Sequence, residues 1–397
     1  MSTFQLVESL ELNGLSLAPP QVLGGVRLVP LLRNKPSEDL RLAKREYGDD
    51  ISLVSVDHRK VYCSYVPHGL VADWTNDGTS VSQAAYGGQL FGTKNESTKD
   101  GKRIDFGFAT ARVMSKMRRR ENKTRMRFLP LHVAMEGFLS LHFGGPAFAW
   151  EEYSRTAMRD GLSPRIEQTY DGTWINGLED ALRVFEIHTS QVGVLVFVGD
   201  ELASAFVVPH YEDYEQLHGT LLTDFYGEFI YWSGLRAEEY VYHPESINPA
   251  DVHTFDDLRS QLSGLTERWS DLHELMTGRL FDCPIRSERV YHLGPFEMQR
   301  FVSNLEPKGE NHIGEMIVRD DGSIEYLKTF RLSATQCRRA YLLMILAECD
   351  WELDRCAERL NCSKHQLVYR LENAGFGYLL HQHVLDAARS ARRKDRD

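Results

Sequence analysis

The sequence predicts an α+β protein, in which a large β-sandwich-like domain with packed helices, residues 1–330, precedes a small all-α module, residues 331–397. Residues 1–330 alternate short β-rich segments with amphipathic helical segments, whereas residues 331–397 show helical periodicity alone. The net charge also changes sign between these two regions. Residues 331–397 contain 12 Lys and Arg against 9 Asp and Glu, a net of +3, and residues 1–330 carry a net of -14, which gives the chain its -11.

The composition excludes several classes of protein. With 42% hydrophobic and 26% charged residues among 397, the chain has the apolar content of a globular protein rather than a disordered one. No apolar run approaches the roughly 18 residues of a membrane span, and the first residues lack the basic and apolar regions of a signal peptide. The six cysteines form no CxxC pair. We therefore expect a cytoplasmic, reduced protein with structural thiols and with no metal, cofactor or membrane contact.

The strands of the large domain are predicted from β-rich segments that flank turn residues. The clearest hairpin is residues 191–208, where two apolar arms surround Gly199-Asp200. Three further groups of strands, within residues 16–33, 51–66 and 286–330, have their turns at Gly24-Gly25, Asp57-His58 and Asp320-Asp321-Gly322.

The helices of the large domain are predicted from apolar residues at helical spacing. The longest is residues 255–279, where Thr254 and Asp257 have the spacing of a capping box. The other predicted helices span residues 108–120, 131–143, 149–159, 177–185 and 211–232. Arginines and lysines between residues 118 and 127 form the strongest basic cluster of this otherwise acidic domain. Such a cluster is usually solvated, and contact with nucleic acid or an acidic partner is the alternative.

Residues 69–103 are rich in Gly, Ser, Thr, Asn and Asp, which predicts a long loop. Aromatic and basic side chains near flexible backbone suit a nucleotide or single-stranded ligand. The candidate ligand residues of this loop are Trp74, Tyr86, Phe91, Lys102 and Arg103. A mobile loop without a ligand is the alternative interpretation.

The large domain offers no established catalytic motif, since it contains no GxxxxGKS, GxGxxG, GxSxG or HExxH pattern in a suitable context. His132, Glu136 and His142 have a spacing that a metal can use, although ordinary core histidines are the simpler interpretation. Glu186 and His188 alternate on a predicted strand, so they share a face and form a conceivable acid–base pair. We assign no catalytic residue and favour a non-enzymatic protein.

The last 67 residues predict three helices at residues 335–349, 353–360 and 364–373. Asn361-Cys362 forms a tight turn, Ser363 caps the third helix, and Gly375 supplies its left-handed C-terminal residue. Two short helices joined by a three- to four-residue turn have helix-turn-helix geometry, in which the second helix enters the major groove of DNA.

This segment closely resembles the Fis-type helix-turn-helix. The matching residues are Ala357, Leu360, Ser363, Leu367, Arg370, Leu371 and Gly375. The resemblance implies that the DNA-facing residues are Ser363, Lys364, His365, Gln366, Tyr369 and Arg370. The basic tail, which includes Arg392, Arg393 and Lys394, would add phosphate contacts. A trihelical module for docking or dimerisation is the alternative.

The large domain resembles the ARPP family, named for its association with ADP-ribosylglycohydrolase and rhodanese-phosphatase genes. A strand and hairpin lead into a helix whose matching residues are Gln191, Gly193, Gly199, Leu217, Leu221, Leu222 and Tyr226, and residues 18–32 resemble the start of the same family. The resemblance implies a context of NAD- or ADP-ribose-linked nucleotide or RNA processing in defence or repair operons. It implies no catalytic residues.

Together these patterns predict a DNA-binding transcription regulator or sensor in a defence or repair system. Residues 331–397 would bind double-stranded DNA, and residues 1–330 would bind a nucleotide ligand or a protein partner. We expect a homodimer, since paired recognition helices meet successive half-sites, with the helix at 254–280 or at 335–349 as its seam. The alternatives are a nucleotide- or RNA-processing enzyme targeted by its helix-turn-helix, and a non-catalytic interaction component of an antiviral assembly.

Overall fold

The fold was analysed in a computed structural model of the chain. It describes residues 5–7, 10–44, 52–57, 60–64, 70–75, 81–86, 178–222, 226–235, 247–306 and 309–394. The chain divides into two compact units. The first consists of Met1–Arg45, Leu70–Tyr86 and Gly172–Ser333, and the helices of Ala334–Asp397 belong to the second.

Strands dominate the described part of the first unit. Those that form its large sheet are β1 (Gln5–Val7), β2 (Ser16–Leu17), β3 (Gln21–Leu23), β4 (Val26–Leu32), β10 (Gln191–Val198), β11 (Glu201–Val207), β12 (Ile285–Leu293), β13 (Phe296–Ser303), β14 (His312–Arg319) and β15 (Ile324–Arg331). The remaining described strands of the first unit are β5 (Leu40–Lys44), β8 (Leu70–Thr75) and β9 (Val81–Tyr86). The strands β6 (Ser52–Asp57) and β7 (Lys60–Ser64) belong to the second unit.

The described helices occupy both units. Those of the first unit are α1 (Leu178–Val184), α2 (Tyr211–Thr220) and α3 (Phe255–Phe281), and those of the second are α4 (Ala334–Glu348), α5 (Leu353–Arg359), α6 (Lys364–Asn373) and α7 (Gln382–Lys394). Shorter helical turns span Gly227–Phe229, Ile230–Leu235, Pro249–Asp251 and Gly377–Leu379. The protein is therefore of the α+β class, as the sequence predicts.

The large sheet has ten strands, paired in the order β1-β12-β13-β14-β15-β11-β10-β4-β2, and β3 pairs with the other part of β4. Every pairing in it is antiparallel. Hairpins explain most of this order, because β12 to β15 form a meander and β10 and β11 form the predicted hairpin. Their turns use glycines with positive φ, 63° at Gly199 and 83° at Gly322, where other residues are strained.

The apolar core of the first unit is built on the strands of this sheet. β4 and β10 are buried along nearly their whole length, as expected for strands covered on both faces. One apolar cluster combines residues of seven strands with Leu10 and with Leu280 of α3. The turns that position these strands are local, but the cluster itself joins residues up to about three hundred positions apart in sequence.

One predicted helix is shorter in the structure, and another begins where the sequence predicts. Residues 211–232 do not form one helix, since α2 ends at Thr220 and the described chain resumes helical turns at Gly227. α3 begins as predicted at Phe255, where Thr254 Oγ1 accepts the Asp257 N–H at 3.1 Å and Asp257 Oδ2 accepts the Thr254 N–H at 2.8 Å. This reciprocal capping box fixes the start of the helix.

The prediction of a long loop at residues 69–103 is wrong for its first half, which contains two strands. β8 and β9 are strands that pair with each other and with β5, placing Trp74 opposite Leu40 and Ser82, and Tyr86 opposite Leu70. Pairing with a strand thirty residues away overrides the loop-like local composition, which carries no information on such partners. Phe91, Lys102 and Arg103 lie outside the described residues, as do the predicted helices at 108–120, 131–143 and 149–159 with His132, Glu136 and His142.

Candidate functional site

The helix pair α5–α6 is built around a short turn of four residues, 360–363. Asn361 adopts a left-handed conformation with φ of 48°, which an asparagine side chain tolerates better than most. Ser363 then caps α6 in a capping box. Its Oγ accepts the Gln366 N–H at 3.4 Å, and Gln366 Oε1 accepts the Ser363 N–H at 3.1 Å.

One side of α6 is buried and the other is exposed. Leu367, Val368 and Leu371 are almost inaccessible to solvent, together with Cys356 and Ala357 of α5. The helix ends before Gly375, whose φ of 83° confirms the predicted left-handed residue. Because its apolar side is occupied within the module, the polar side of α6 is available to a partner.

His365, Gln366, Tyr369 and Arg370 share this polar side. Lys364, at the first position of α6, has the i, i+3, i+4, i+7 spacing of the buried side and is exposed because it begins the helix. Lys364, Gln366, Tyr369 and Arg370 are exposed, whereas Ser363 and His365 are half-buried. His365, Gln366, Tyr369 and Arg370 line a groove of about 620 Å³, which α7 completes with Ala388 and Arg389. The last turn of α7 carries Arg392, Arg393 and Lys394, and the Arg393 side chain is exposed.

Acidic residues of the same module pair with the basic residues at this surface. Lys364 Nζ lies 2.8 Å from Asp354 Oδ2 of α5, and Arg389 pairs with Glu372 across the groove. Arg370 has no such ion pair among the described residues. Arg370 therefore presents to the groove a positive charge that is not held in an ion pair within the described part of the chain.

The cysteines of the module are structural. Cys337, Cys349 and Cys356 are buried free thiols, as predicted from their apolar helix positions. Burial raises the pKa of the Cys356 thiol to about 12, so it stays protonated and is a poor metal ligand at neutral pH. Across the described part of the chain, His, Cys, Asp and Glu form no group of three or more that could hold a metal ion.

The predicted acid–base pair of the first unit is not formed. Glu186 and His188 follow α1 in a segment that is not a strand, and Glu186 is exposed. The prediction of a strand at Glu186 and His188 is therefore wrong, because both residues lie between α1 and a turn. There the backbone carbonyl of Glu186 accepts a bond from Gln21 Nε2, and the His188 N–H is bound by Gln191 Oε1 at 2.8 Å.

A buried charged pair that sequence reasoning missed lies on β14 and β15. Glu315 and Lys328 are paired residues of the meander, each only 2% exposed, and Tyr326 donates its hydroxyl to Glu315 Oε1 at 3.0 Å. Burial lowers the pKa of Lys328, and the nearby Glu315 opposes part of this effect. The signal was present in the sequence, since Glu315 lies six residues before Asp321 and Lys328 six residues after Gly322, the centre of the predicted hairpin turn.

A second charged network surrounds Glu325 at the end of the same hairpin. Arg33 and Ser37, from the segment after β4, both bind the Glu325 carboxylate, which also accepts a bond from Arg319 Nε at 2.9 Å. Arg319 is held in turn by both oxygens of Asp39, at 2.7 and 2.8 Å. All these carboxylates and cations are engaged with one another, so the network ties the β4–β5 connection to the meander.

The residues of the predicted family motif have structural roles. A Cβ on Gly193 would collide with the Phe206 carbonyl of the adjacent strand, so only glycine fits there. Gln191 Nε2 donates to the Tyr214 hydroxyl at 2.9 Å, and the later motif residues are buried, namely Leu217 of α2 and, after its end, Leu221, Leu222 and Tyr226. The motif therefore joins the β10–β11 hairpin to α2 and to the segment that follows it.

Comparisons with known proteins address the same region. Searches of curated proteins and of solved structures found no match. None of the described helices is long and apolar enough to cross a bilayer. The model of the ARPP-2 family matches residues 10–294, which contain the β10–β11 hairpin, α2, α3 and β12, and which make up more than half of the chain. The chain therefore belongs to the ARPP-2 family.

Proposed function

We propose that the protein is a cytoplasmic DNA-binding regulator, in which α5 and α6 form a Fis-type helix-turn-helix. The observation that carries the proposal is the exposed side of α6. A capping box fixes its first turn, three apolar residues anchor it, and its outer side presents Gln366, Tyr369 and Arg370. Lys364 is exposed at the start of the helix. A short helix with basic and amide side chains on one side is the form in which proteins read the major groove.

In this proposal the groove residues divide between two tasks. Arg370 and Gln366 have the fork-shaped donors and acceptors that recognise guanine and adenine edges. Lys364 and the basic end of α7, including Arg392, Arg393 and Lys394, contact phosphates. Since Lys364 and Arg389 are already paired with carboxylates, binding by one module is weak and gains from a second module in a homodimer.

The first unit is proposed to supply regulation rather than catalysis. Membership of the ARPP-2 family supports the context that the ARPP resemblance implies, which is NAD- or ADP-ribose-linked nucleotide or RNA processing in defence or repair systems. A nucleotide or protein partner bound by residues 1–330 would then control the DNA-binding module. The strand positions of Trp74 and Tyr86 leave both residues as candidates for contact with such a ligand.

The experiment is a shift assay on duplex DNA over a range of salt concentrations, comparing wild type with Lys364→Glu/Arg370→Glu. We expect the variant to bind at least about tenfold more weakly and with a shallower salt dependence, because base and phosphate contacts are both lost. The matched control is Arg183→Glu/Arg289→Glu, which makes the same charge change at exposed positions of the first unit. Equal binding by wild type and the α6 variant would refute the proposal.

A further inference from the structure

Helix α7 forms the second wall of the groove beside α6, and it lies beyond the residues that carry the Fis-type resemblance. Those residues end at Gly375, whereas α7 begins at Gln382. The side of α7 that packs inward holds Val384, Leu385 and Ala388, of which Leu385 is buried and the other two are half-buried. This apolar side holds α7 against α6, so that polar residues of both helices line one groove.

One ion pair spans this groove. Arg389 of α7 donates from Nη2 to Glu372 Oε1 of α6, and its Nη1 lies 3.7 Å from Asp386 Oδ1, one turn earlier in α7. The Arg389 side chain is 54% exposed and the Glu372 side chain 32%. An ion pair that water reaches contributes little to stability, because solvent screens the attraction and two flexible side chains lose freedom. The pair is therefore open to competition from another anion.

A phosphate of DNA is an anion that can compete with Glu372. Guanidinium groups bind carboxylate and phosphate oxygens with the same forked geometry, so a phosphate can take the place of the carboxylate on Arg389. Duplex DNA also carries one negative charge per about 1.7 Å of its axis, which is a far denser charge than that of one carboxylate. The exchange is therefore favoured once DNA lies close to Arg389.

The packing of α7 beside α6 provides that closeness. Packed helices lie about 8–10 Å apart from axis to axis, and the major groove of DNA is about 12 Å wide. When one helix occupies the major groove, residues on a helix packed beside it are thus at the distance of the phosphates that border the groove. Arg389 has this position relative to α6, since it lines the same groove as Gln366 and Arg370.

We propose that Arg389 is a phosphate-binding residue of the module, and that Glu372 holds it in the free protein until a phosphate of the DNA backbone replaces the carboxylate. The inference rests on the proposed DNA binding and deepens it, because it names a contact that regulates the affinity of one module. Glu372 also repels the phosphates through its own negative charge. It therefore lowers the affinity of a single module for DNA of any sequence.

The test is a shift assay of the full chain on duplex DNA over a range of salt concentrations. Glu372→Gln retains the shape of the side chain without its charge and should bind DNA about threefold more tightly, the factor that corresponds to one exposed ion pair. Arg389→Gln loses a phosphate contact, so binding should weaken and the slope of log affinity against log salt should fall by about one. The double variant should bind like Arg389→Gln, because Glu372 acts through Arg389.

The matched control is Glu358→Gln. It removes the same charge from an exposed position of α5 that does not line the groove, so it should bind like wild type. Circular dichroism and cooperative melting verify that each protein is folded.

Four results would overturn the proposal: unchanged or weaker binding by Glu372→Gln, wild-type binding by Arg389→Gln, a full gain from Glu372→Gln in the absence of Arg389, or an equal gain from Glu358→Gln. The variant Lys364→Glu/Arg370→Glu separates these results from a failure of the proposed function. If it loses binding while Glu372→Gln and Arg389→Gln match wild type, DNA binding stands and only the role of Arg389 is wrong. If no protein of the set shifts the DNA, wild type included, both proposals fail.

Discussion

Individual polar side chains in the first unit are buried only with partners. Glu315 and Lys328 form a charged pair inside the sheet, and Gln191, Tyr214 and His218 form a chain that ends at the Phe185 carbonyl. Each such group would destabilise the fold if it were left alone, since an unpaired buried charge or donor retains its full desolvation cost. These residues therefore give the sharpest tests at the scale of the side chain.

The pair on β14 and β15 should behave non-additively. Lys328→Met leaves Glu315 as an uncompensated buried charge and should lower the free energy of unfolding by about 3–5 kcal/mol. Adding Glu315→Leu removes that charge, so the double variant should recover most of the loss. Urea denaturation of the two singles and the double measures the coupling. Additive losses would show that the two groups do not stabilise each other.

His218 should make stability depend on pH. Burial lowers its pKa from the usual 6.5, and a bond to the Phe185 carbonyl, with Nε2 to oxygen at 2.7 Å, only partly opposes this. Below pH 6.5 the unfolded chain therefore binds a proton that the folded chain resists, and stability falls as the pH drops towards the folded pKa. The difference between the denaturation midpoints at pH 7.5 and at pH 5.0 should be smaller in His218→Gln than in wild type.

An exposed histidine provides the control for that comparison. His253→Gln changes a solvent-accessible ring and should retain the pH dependence of wild type. A His218 variant with an unchanged difference between the two pH values would contradict the assignment.

At the scale of the element, α6 depends on its first turn. The helix has only ten residues, and helices of that length are marginal without caps and tertiary packing. Ser363→Ala removes the side-chain acceptor of the capping box and should cost about 0.5–2 kcal/mol in the unfolding of the module. Thermal unfolding measures the loss, and Ser363→Asp, which retains an acceptor, should restore most of it. An alanine variant as stable as wild type would contradict the role of the cap.

Elements also show where sequence patterns are sufficient. α6, the β10–β11 hairpin and the start of α3 follow the predictions closely, because caps, turn glycines and apolar spacing are local signals. β8 and β9 do not, because their strand character depends on pairing with β5. Glu186 and His188 show the reverse error. A strand was predicted for them because of apolar residues nearby, whereas β10 begins only at Gln191.

At the scale of the whole molecule, the charge separates two kinds of surface. The acidic first 330 residues disfavour non-specific contact with phosphates, and the last 67 carry a small positive excess. Part of that excess is neutralised within the module by Asp354 and Glu372. The proposed homodimer would supply what a single module lacks, since it doubles the DNA-facing surface without adding charge to either chain.

The candidate DNA-facing residues of α6 were named from the Fis-type resemblance, and their contact with DNA stays a prediction. Four of them are exposed, and three of these, Gln366, Tyr369 and Arg370, share one side of the helix. The groove completed by Ala388 and Arg389, and the ion pairs that occupy Lys364 and Arg389, were not predictable. They depend on how α7 and α5 pack beside α6, which apolar spacing within one helix does not specify.

The sequence alone therefore determined the α+β class, the order of its clearest elements, the capped helix α6 and the ARPP resemblance. Each of these rests on residues close together in the chain, where turn, cap and periodicity have direct physical causes. The tertiary structure decided the pairing of β8 with β5 and the burial of Lys328 and Glu315 as paired residues of adjacent strands. Those properties depend on which distant segments meet, and long-range contacts are set by the packing of the whole unit.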